Sequence, residues 1–293
     1  MTEITHIPVL AQEVLEYLNP QQGDIVFDGT LGGGGHARLI LPRIGLTGQY
    51  IATDLDAESS NRVAASLPEW SNLHVHTTSF KNIGDVLSQE GIHHANVILA
   101  DLGWNSDQFK QDDRGFSFVS SALDMRYHKG DGISASDIIN EWSEDTLVTL
   151  FNAYGEEPNA KKIARTIRER RATKPFTSGK ELADFIESVI PRRGKKIHPA
   201  TKVFQALRIT VNNELGDLQE FLANMLTVST KGTRIGIITF HSLEDRIVKH
   251  YFRDLIKDGT AMDINYGGAT ATDEELLANP RSRSARLRVI EIL

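Results

Sequence analysis

The chain has 293 residues, 40% of them hydrophobic and 24% charged, which is typical of a globular protein of one or two domains. The absence of cysteine excludes disulfides, iron–sulfur clusters and zinc sites with thiolate ligands. No apolar run approaches the roughly 20 residues that a transmembrane helix needs, and MTEITHIPVL lacks the basic start and apolar core of a signal peptide. We therefore expect a cytoplasmic protein with no membrane partner.

The net charge of −7 is unevenly distributed along the chain. Residues 161–208 contain 14 Lys or Arg against 4 Asp or Glu, a local charge of +10. Such a region is typical of a protein that binds a polyanion, but solvated helix faces would give the same pattern. Charge alone leaves both interpretations open.

Short apolar runs alternate with helix-like segments in the first hundred residues. A helix is expected over 9–18, and strands at IVFD (25–28), QYIATD (49–54), LHVHTT (73–78) and NVILAD (96–101). This alternation predicts a parallel sheet with helices on both faces.

The sheet pattern stops after Asp101. Residues 103–133 resemble a loop, residues from about 136 to 226 have helical spacing, and strand-like runs return at TRIGIITF (233–240) and LRVIEIL (287–293). We therefore predict a sheet domain, residues 1–108 and 214–293, that is interrupted by an all-helical insert, residues 109–213.

A glycine-rich turn follows the first predicted strand. Gly32, Gly34 and Ala37 fit G-x-G-x-x-A between a strand and a helix, the context in which such a turn lets a ligand approach bare backbone amides. No Lys-Ser or Lys-Thr follows at the spacing of a nucleotide phosphate loop. Asp54 ends the second strand and is placed to bind the ribose hydroxyls of an adenosine cofactor, while Asp56 suits the cap of the next helix. The turn and the acid indicate adenosine without deciding between nicotinamide and S-adenosylmethionine.

Asp101 ends the fourth strand, and Ser106 and Gln108 follow in a loop. Because ligands of such sheets bind at the carboxyl ends of strands, we expect Asp101 to hold a methionine amino group or to accept from a nucleophilic amine.

Two further motifs are interpreted structurally. In FHSLEDR (240–246), Ser242 and Asp245 fit an S-x-x-D cap and His241 is expected to face the cleft. The chain has no G-x-S-x-G nucleophile elbow.

His74 and His76 share a strand face, but no carboxylate lies at a useful spacing from them in the sequence. We therefore expect that they form no metal site and that they, like His93 and His94, lie at the surface.

Taken together, these residues resemble the bacterial 16S ribosomal RNA cytosine-N4 methyltransferase family, the RsmH or MraW enzymes. The resemblance covers almost the whole chain. Its blocks are HIPVLAQEVLEYL (6–18), DGTLGGGGHARLIL (28–41), DLGWNSDQF (101–109), DRGFSF (113–118), LDMR (123–126), YGEE (154–157), AKKIARTI (160–167), HPATKVFQALRITVNNEL (198–215), FHSLEDRIVK (240–249) and NPRSRSARLRV (279–289).

The resemblance implies an α/β fold, the Rossmann-like class I S-adenosylmethionine-dependent methyltransferase fold with a helical insert. It implies S-adenosylmethionine as cofactor and methylation of a cytosine N4 in the decoding centre of 16S ribosomal RNA, within the small subunit, and it allows a homodimer. The family usually reads DLG-V-S-S-P-Q where this chain has DLGWNSDQ. The implied cofactor contacts are Gly34, Gly35, His36, Asp54, Phe80, Asp101 and Gln108.

Asp101 is the candidate catalytic residue, since an acceptor for the N4 protons would assist a poor nucleophile. Trp104 or Phe116 is expected to stack on the extruded base. Phosphate contacts are expected from Arg165, Arg168, Arg171, Arg192, Arg193, Lys195 and Lys196, and further RNA contacts from Ser106, Arg114, His198, Arg208 and His241. The alternatives are a nicotinamide-dependent oxidoreductase, a methyltransferase for DNA or a small molecule, and a non-catalytic ribosome-assembly factor with a methyltransferase fold.

Overall fold

The structure, a computed structural model, describes residues 7–102, 114–127, 132–192, 194 and 197–293. The chain divides into two compact units, one of Met1–Asn105 with Leu215–Leu293 and one of Ser106–Glu214. The first unit is thus assembled from both ends of the chain, and the second is inserted between them.

The first unit contains an eight-stranded sheet. Five strands are parallel in the order β3-β2-β1-β4-β5, β8 is antiparallel to β5, and both β6 and β7 pair antiparallel with β8. The prediction of a parallel sheet is confirmed for these five strands, and the sequence reading did not find β6 and β7. The bounds are β1 Ile25–Asp28, β2 Gln49–Asp54, β3 Leu73–Thr77, β4 Ala95–Asp101, β5 Ser229–Thr239, β6 Ala261–Asp263, β7 Ala269–Thr270 and β8 Arg286–Ile292.

Helices cover both faces of this sheet because successive strand residues point to opposite sides. On β1, Val26 belongs to the apolar cluster formed with α1, α2 and α3, whereas Phe27 belongs to the cluster formed with α4, α10 and α11. The helices of this unit are α1 Ala11–Leu18, α2 Gly35–Ile44, α3 Ala57–Ala65, α4 Ile83–Gln89, α10 Glu214–Met225 (which starts on the last residue of the second unit), α11 Ser242–Lys257 and α12 Asp273–Ala278.

The order of the strands places a switch point at β1. The chain proceeds from β1 to β2 and β3 on one side, and then returns to place β4 on the other side of β1. In open α/β sheets the crevice outside the carboxyl ends of strands at such a point is where ligands bind. The fold therefore directs attention to the residues that follow β1, β2 and β4.

The second unit is built, in its described part, from five helices around its own core. Buried residues such as Ile139, Phe151, Ile163 and Phe176 form one cluster there. The helices are α5 Ala135–Glu141, α6 Glu144–Ala153, α7 Ala160–Arg171, α8 Gly179–Val189 and α9 Thr201–Val211. No helix in the described ranges of either unit is both long enough and apolar enough to span a membrane.

Candidate functional site

Three acidic residues end three adjacent strands at one edge of the sheet. Asp28 ends β1, Asp54 ends β2 and Asp101 ends β4, and these strands are neighbours in the order β2-β1-β4. Asp28 is 1% exposed, and the other two are partly buried. Three carboxyl groups therefore lie at the carboxyl ends of the strands around the switch point.

The turn between β1 and α2 is rich in glycine for two reasons. Its backbone conformation favours glycine, as the sequence indicated, and neighbouring side chains pack closely against it, which the sequence did not indicate. Gly32 and Gly34 have φ of 52° and 73°, values that favour glycine. A Cβ on Gly34 would lie 2.6 Å from Cγ1 of Val63, and one on Gly35 would lie 3.0 Å from Cβ of Pro8. Packing within the protein thus already disfavours a side chain at Gly34 and leaves little room for one at Gly35, whereas a Cβ on Gly32 would meet only the carbonyl of Thr30, at 3.8 Å.

Asp54 joins the glycine turn to the start of α3. Its Oδ2 accepts from the Gly32 amide at 2.7 Å and its Oδ1 from the Asp56 amide at 2.8 Å. Burial raises the pKa of Asp54, while these two backbone hydrogen bonds act in the opposite direction. Asp56 accepts from the amides of Glu58 and Ser59, so its prediction as the helix cap is confirmed.

Asp28 was not among the candidate site residues, although the apolar run that ends in it was visible in the sequence. Its Oδ2 accepts from the Tyr50 hydroxyl at 2.7 Å and its Oδ1 from the Thr30 amide at 3.0 Å. The Thr30 hydroxyl in turn accepts from the Asp101 amide at 2.6 Å. Burial raises the pKa of Asp28 and raises that of Tyr50 well above its ordinary value. Side chains therefore connect the end of β1 to Tyr50 within β2 and, through Thr30, to the end of β4.

His36 and Asp101 lie together beside the turn. Nε2 of His36 is 3.6 Å from Oδ2 of Asp101, and the two side chains are only 7% and 16% exposed. Both ring nitrogens of His36 and Oδ1 of Asp101 are buried without a hydrogen bond from any described residue. Because buried polar atoms are normally paired, unpaired donors and acceptors at this position fit a polar ligand that supplies the missing partners.

Phe80 follows β3 in a short 3-10 turn at the same edge of the sheet. Its ring is half-buried and meets Phe221 edge-on, with 5.1 Å between ring centroids. A Cβ on Gly29 would lie 2.8 Å from Cβ of Phe80. The structure therefore brings Phe80 against the first residue of the turn, as its assignment to the cofactor site requires.

The interpretation of Ser242 as a helix cap is wrong. The cap of α11 is His241, whose Nδ1 accepts from the Glu244 amide while Oε2 of Glu244 accepts from the His241 amide. Both capping partners therefore stand one position earlier than the S-x-x-D pattern indicated. In addition, Nε2 of His241 lies 3.1 Å from Oε1 of Glu244.

The sequence offers no carboxylate at useful spacing from His74 and His76, but the structure brings one to both rings, which are half-buried rather than on the surface. Glu90, which follows α4, contacts both rings, at 3.0 Å from Nδ1 of His74 and 2.8 Å from Nε2 of His76. Its distance along the chain hid this contact from a search by spacing. His93 and His94 are exposed, as predicted.

The basic residues predicted to contact phosphate differ in their surroundings. Arg165 and Arg168 are 59% and 52% exposed on α7, and Arg168 pairs with Glu144 at 2.8 Å. Arg171 instead donates to the carbonyls of Ile139 and Trp142, both at 2.6 Å, and burial lowers its pKa. The guanidinium of Arg171 is therefore committed to the interior of the second unit, and Arg165 and Arg168 are the better phosphate candidates.

Three other described candidates of the second unit, Arg192, His198 and Arg208, also have partners. Glu187 lies 2.6 Å from Nε of Arg192 and 3.3 Å from Nε2 of His198, whose ring also stacks on Phe118. Arg208 pairs with Glu214 at 2.9 Å.

Arg114 and Phe116 lie around Tyr127. Arg114 donates to the Tyr127 carbonyl at 2.8 Å, and the rings of Phe116 and Tyr127 stack with 5.8 Å between centroids. The candidates that lie outside the described residues are Trp104, Ser106, Gln108, Arg193, Lys195 and Lys196.

The sequence is similar to proteins named as ribosomal RNA methyltransferases. The chain is 40% identical to ribosomal RNA small subunit methyltransferase H of Syntrophotalea carbinolica, over 98% of each chain. It is 41% identical to the protein of the same name from Dictyoglomus thermophilum, over 99% of this chain and 97% of that protein. An rRNA methylase structure from Streptococcus thermophilus is 10% identical, with 99% of both chains covered and a TM-score of 0.47.

The sequence model of the MraW methylase family matches residues 3–293 of this chain. This match includes the glycine turn, the three acidic strand ends and the whole helical insert. The chain therefore belongs to the MraW methylase family.

Proposed function

We propose that this protein transfers a methyl group from S-adenosylmethionine to N4 of a cytosine in the decoding centre of 16S ribosomal RNA, within the small ribosomal subunit. The observation that carries the proposal is the family match over residues 3–293, in a fold with three carboxylates around the glycine turn. The names of the relatives at about 40% identity support the small-subunit substrate. We also propose that the chain associates as a homodimer, which the family resemblance allows.

The cofactor is assigned to the turn and the strand ends. Backbone groups of Gly34, Gly35 and His36 would face it, Asp54 would accept from the ribose hydroxyls, and Phe80 would pack against the adenine. S-adenosylmethionine, when bound, supplies the methyl group on a positively charged sulfur. Asp54 suits the ribose because its position is already fixed by the Gly32 and Asp56 amides. Gln108 completes the assigned contacts.

Asp101 is proposed as the catalytic residue. The N4 lone pair of cytosine is delocalised into the ring, and the amine must lose a proton when the new C–N bond forms. Oδ1 of Asp101 is buried and receives no hydrogen bond from a described residue, so it can accept from N4. The Thr30 hydroxyl fixes the Asp101 backbone, and His36 lies beside the other carboxylate oxygen.

The helical insert is proposed to recognise the RNA. Helix α7 presents Lys161, Arg165 and Arg168 to solvent, and among the described residues Arg165 has only a distant partner, Glu169 at 3.9 Å. Such side chains contact phosphates without reading sequence. Trp104 and Phe116 remain the proposed stacking residues for the extruded base, and the other predicted RNA contacts remain proposals.

Replacement of Asp101 tests the catalytic assignment. Asp101→Asn keeps the size of the side chain, and we expect single-turnover transfer to small subunits to fall by about a hundredfold or more. Calorimetry with S-adenosylhomocysteine should show a much smaller loss of affinity. Asp24→Asn, at the opposite end of β1, is the matched control. Transfer at the wild-type rate by the Asp101 variant would contradict the assignment, and binding by the wild type without any transfer would favour a non-catalytic assembly factor.

A further inference from the structure

We infer that Asp217 is a positioning residue that holds Phe80 as the platform for the adenine of S-adenosylmethionine. This inference rests on the proposed function, because it takes the adenine to lie against Phe80. It adds a residue of α10, which is remote in sequence from the glycine turn and from every strand end at the site.

One carboxylate holds the residues on both sides of Phe80. The Ser79 hydroxyl donates to Oδ2 of Asp217 at 3.0 Å, and Nζ of Lys81 donates to Oδ1 at 3.1 Å. Ser79 is buried, and the Asp217 side chain is 17% exposed. Asp217 and Glu220 together raise the pKa of Lys81 and keep its ammonium group charged. The side chains immediately before and after Phe80 are thus both bonded to Asp217.

The same face of α10 continues this contact over the next two turns. Phe221, four residues after Asp217, meets the Phe80 ring at an interplanar angle of 80°. Asn224, three residues further, donates from Nδ2 to the Lys81 carbonyl at 2.9 Å. Residues at this spacing lie on one side of a helix. Helix α10 therefore contacts the segment 79–81 through four of its side chains, those of Asp217, Glu220, Phe221 and Asn224.

An aromatic ring that is already held in place loses less conformational freedom when a ligand packs on it. Phe80 is only half-buried, so part of the ring remains available. Because Phe80 lies close to Gly29, it has little room to move towards β1. We therefore expect Asp217 to act on cofactor affinity and to have little effect on the transfer step.

A double-mutant cycle tests the inference with S-adenosylhomocysteine as the probe in calorimetry. Asp217→Asn should weaken its binding by about three- to tenfold, the effect of one or two lost hydrogen bonds, with kcat at saturating cofactor within about twofold of wild type. In a Phe80→Ala background the same change should have no further effect. Glu291→Gln, which breaks the similarly exposed Arg234–Glu291 pair of the sheet, is the control.

The possible results distinguish a failure of the role inferred for Asp217 from a failure of the assignment of Phe80 to the adenine. If Phe80→Ala leaves the affinity unchanged, the assignment of Phe80 to adenine fails. If Phe80→Ala weakens binding but Asp217→Asn does not, or if the two effects simply multiply, the role of Asp217 is refuted. A fall in kcat without a loss of affinity would refute it as well. Ser79→Ala, which removes one of the two donors, enters the same cycle if Asp217→Asn does not fold.

Discussion

Substitution of Gly34 by alanine separates the two reasons for which the turn contains glycine. At φ of 73° an alanine costs about 1–2 kcal/mol in backbone strain. The new Cβ would also lie 2.6 Å from Val63, which is 3% exposed, and such overpacking adds about 1–3 kcal/mol. We therefore expect Gly34→Ala to lower the free energy of unfolding by about 2–5 kcal/mol.

Gly91 provides the matched control, because its φ is 70° and a Cβ there would meet nothing within 4 Å. Gly91→Ala should cost only the strain, about 1–2 kcal/mol. Urea unfolding followed by circular dichroism measures both, with the slope of the transition as a check on two-state behaviour. In a Val63→Ala background the cost of Gly34→Ala should fall to that of Gly91→Ala. Equal costs for the two glycine variants in the wild-type background would refute the packing argument.

Three further predictions concern pH, stability and RNA binding. Burial raises the pKa of Asp28, so its contribution to stability is present below its unfolded pKa and is lost as the pH rises towards the raised pKa of the folded state. Asp28→Asn should therefore gain stability relative to wild type as the pH rises above 3.8, the ordinary pKa of the group. Arg171→Ala should lower the free energy of unfolding by about 2 kcal/mol or more, because two carbonyls lose a charged donor, whereas Arg165→Ala should change it by less than about 0.5 kcal/mol. Replacing Lys161, Arg165 and Arg168 by glutamine should reduce the salt dependence of RNA affinity by about two in log–log slope.

Each of these predictions can fail. A stability difference between wild type and Asp28→Asn that is constant with pH would contradict the raised pKa. Equal costs for the two arginine variants would restore Arg171 to the phosphate candidates. For the RNA measurement, the control replaces the exposed Lys231, Arg253 and Lys257 of the first unit, which removes the same charge. If the slope falls equally in both triple variants, the charges of α7 contribute no more to RNA binding than other exposed charges do.

The strands at the site could be predicted because they are short, apolar and buried. The predicted bounds of β1 and β2 agree with the structure at every residue, and those of β4 differ by one residue at its start. The two- and three-residue strands β7 and β6 carry too few residues for any periodicity. That β8 runs antiparallel to β5 depends on the path of the chain after α11, which local composition does not encode.

The positions of some residues around the turn were predictable because their signals are local in sequence. The cap Asp56 and the places of Asp54 and Asp101 at the ends of their strands follow from the pattern, whereas Asp28 at the end of β1 was not recognised as a candidate. Contacts over long distances along the chain were not predictable, such as Glu90 with His74 and His76 or Asp217 with Ser79. The cap of α11 was misplaced because histidine at the cap competes with the more usual serine one residue later.

Methyl transfer to isolated small subunits tests the central claim most directly. Subunits from a strain that lacks the family enzyme would be incubated with the protein and S-adenosylmethionine carrying a labelled methyl group, and the RNA digested and its nucleosides identified by mass. The account predicts label in N4-methylcytidine from a single position of the decoding centre. Label in another nucleoside, or label that appears equally in protein-free DNA, would contradict it.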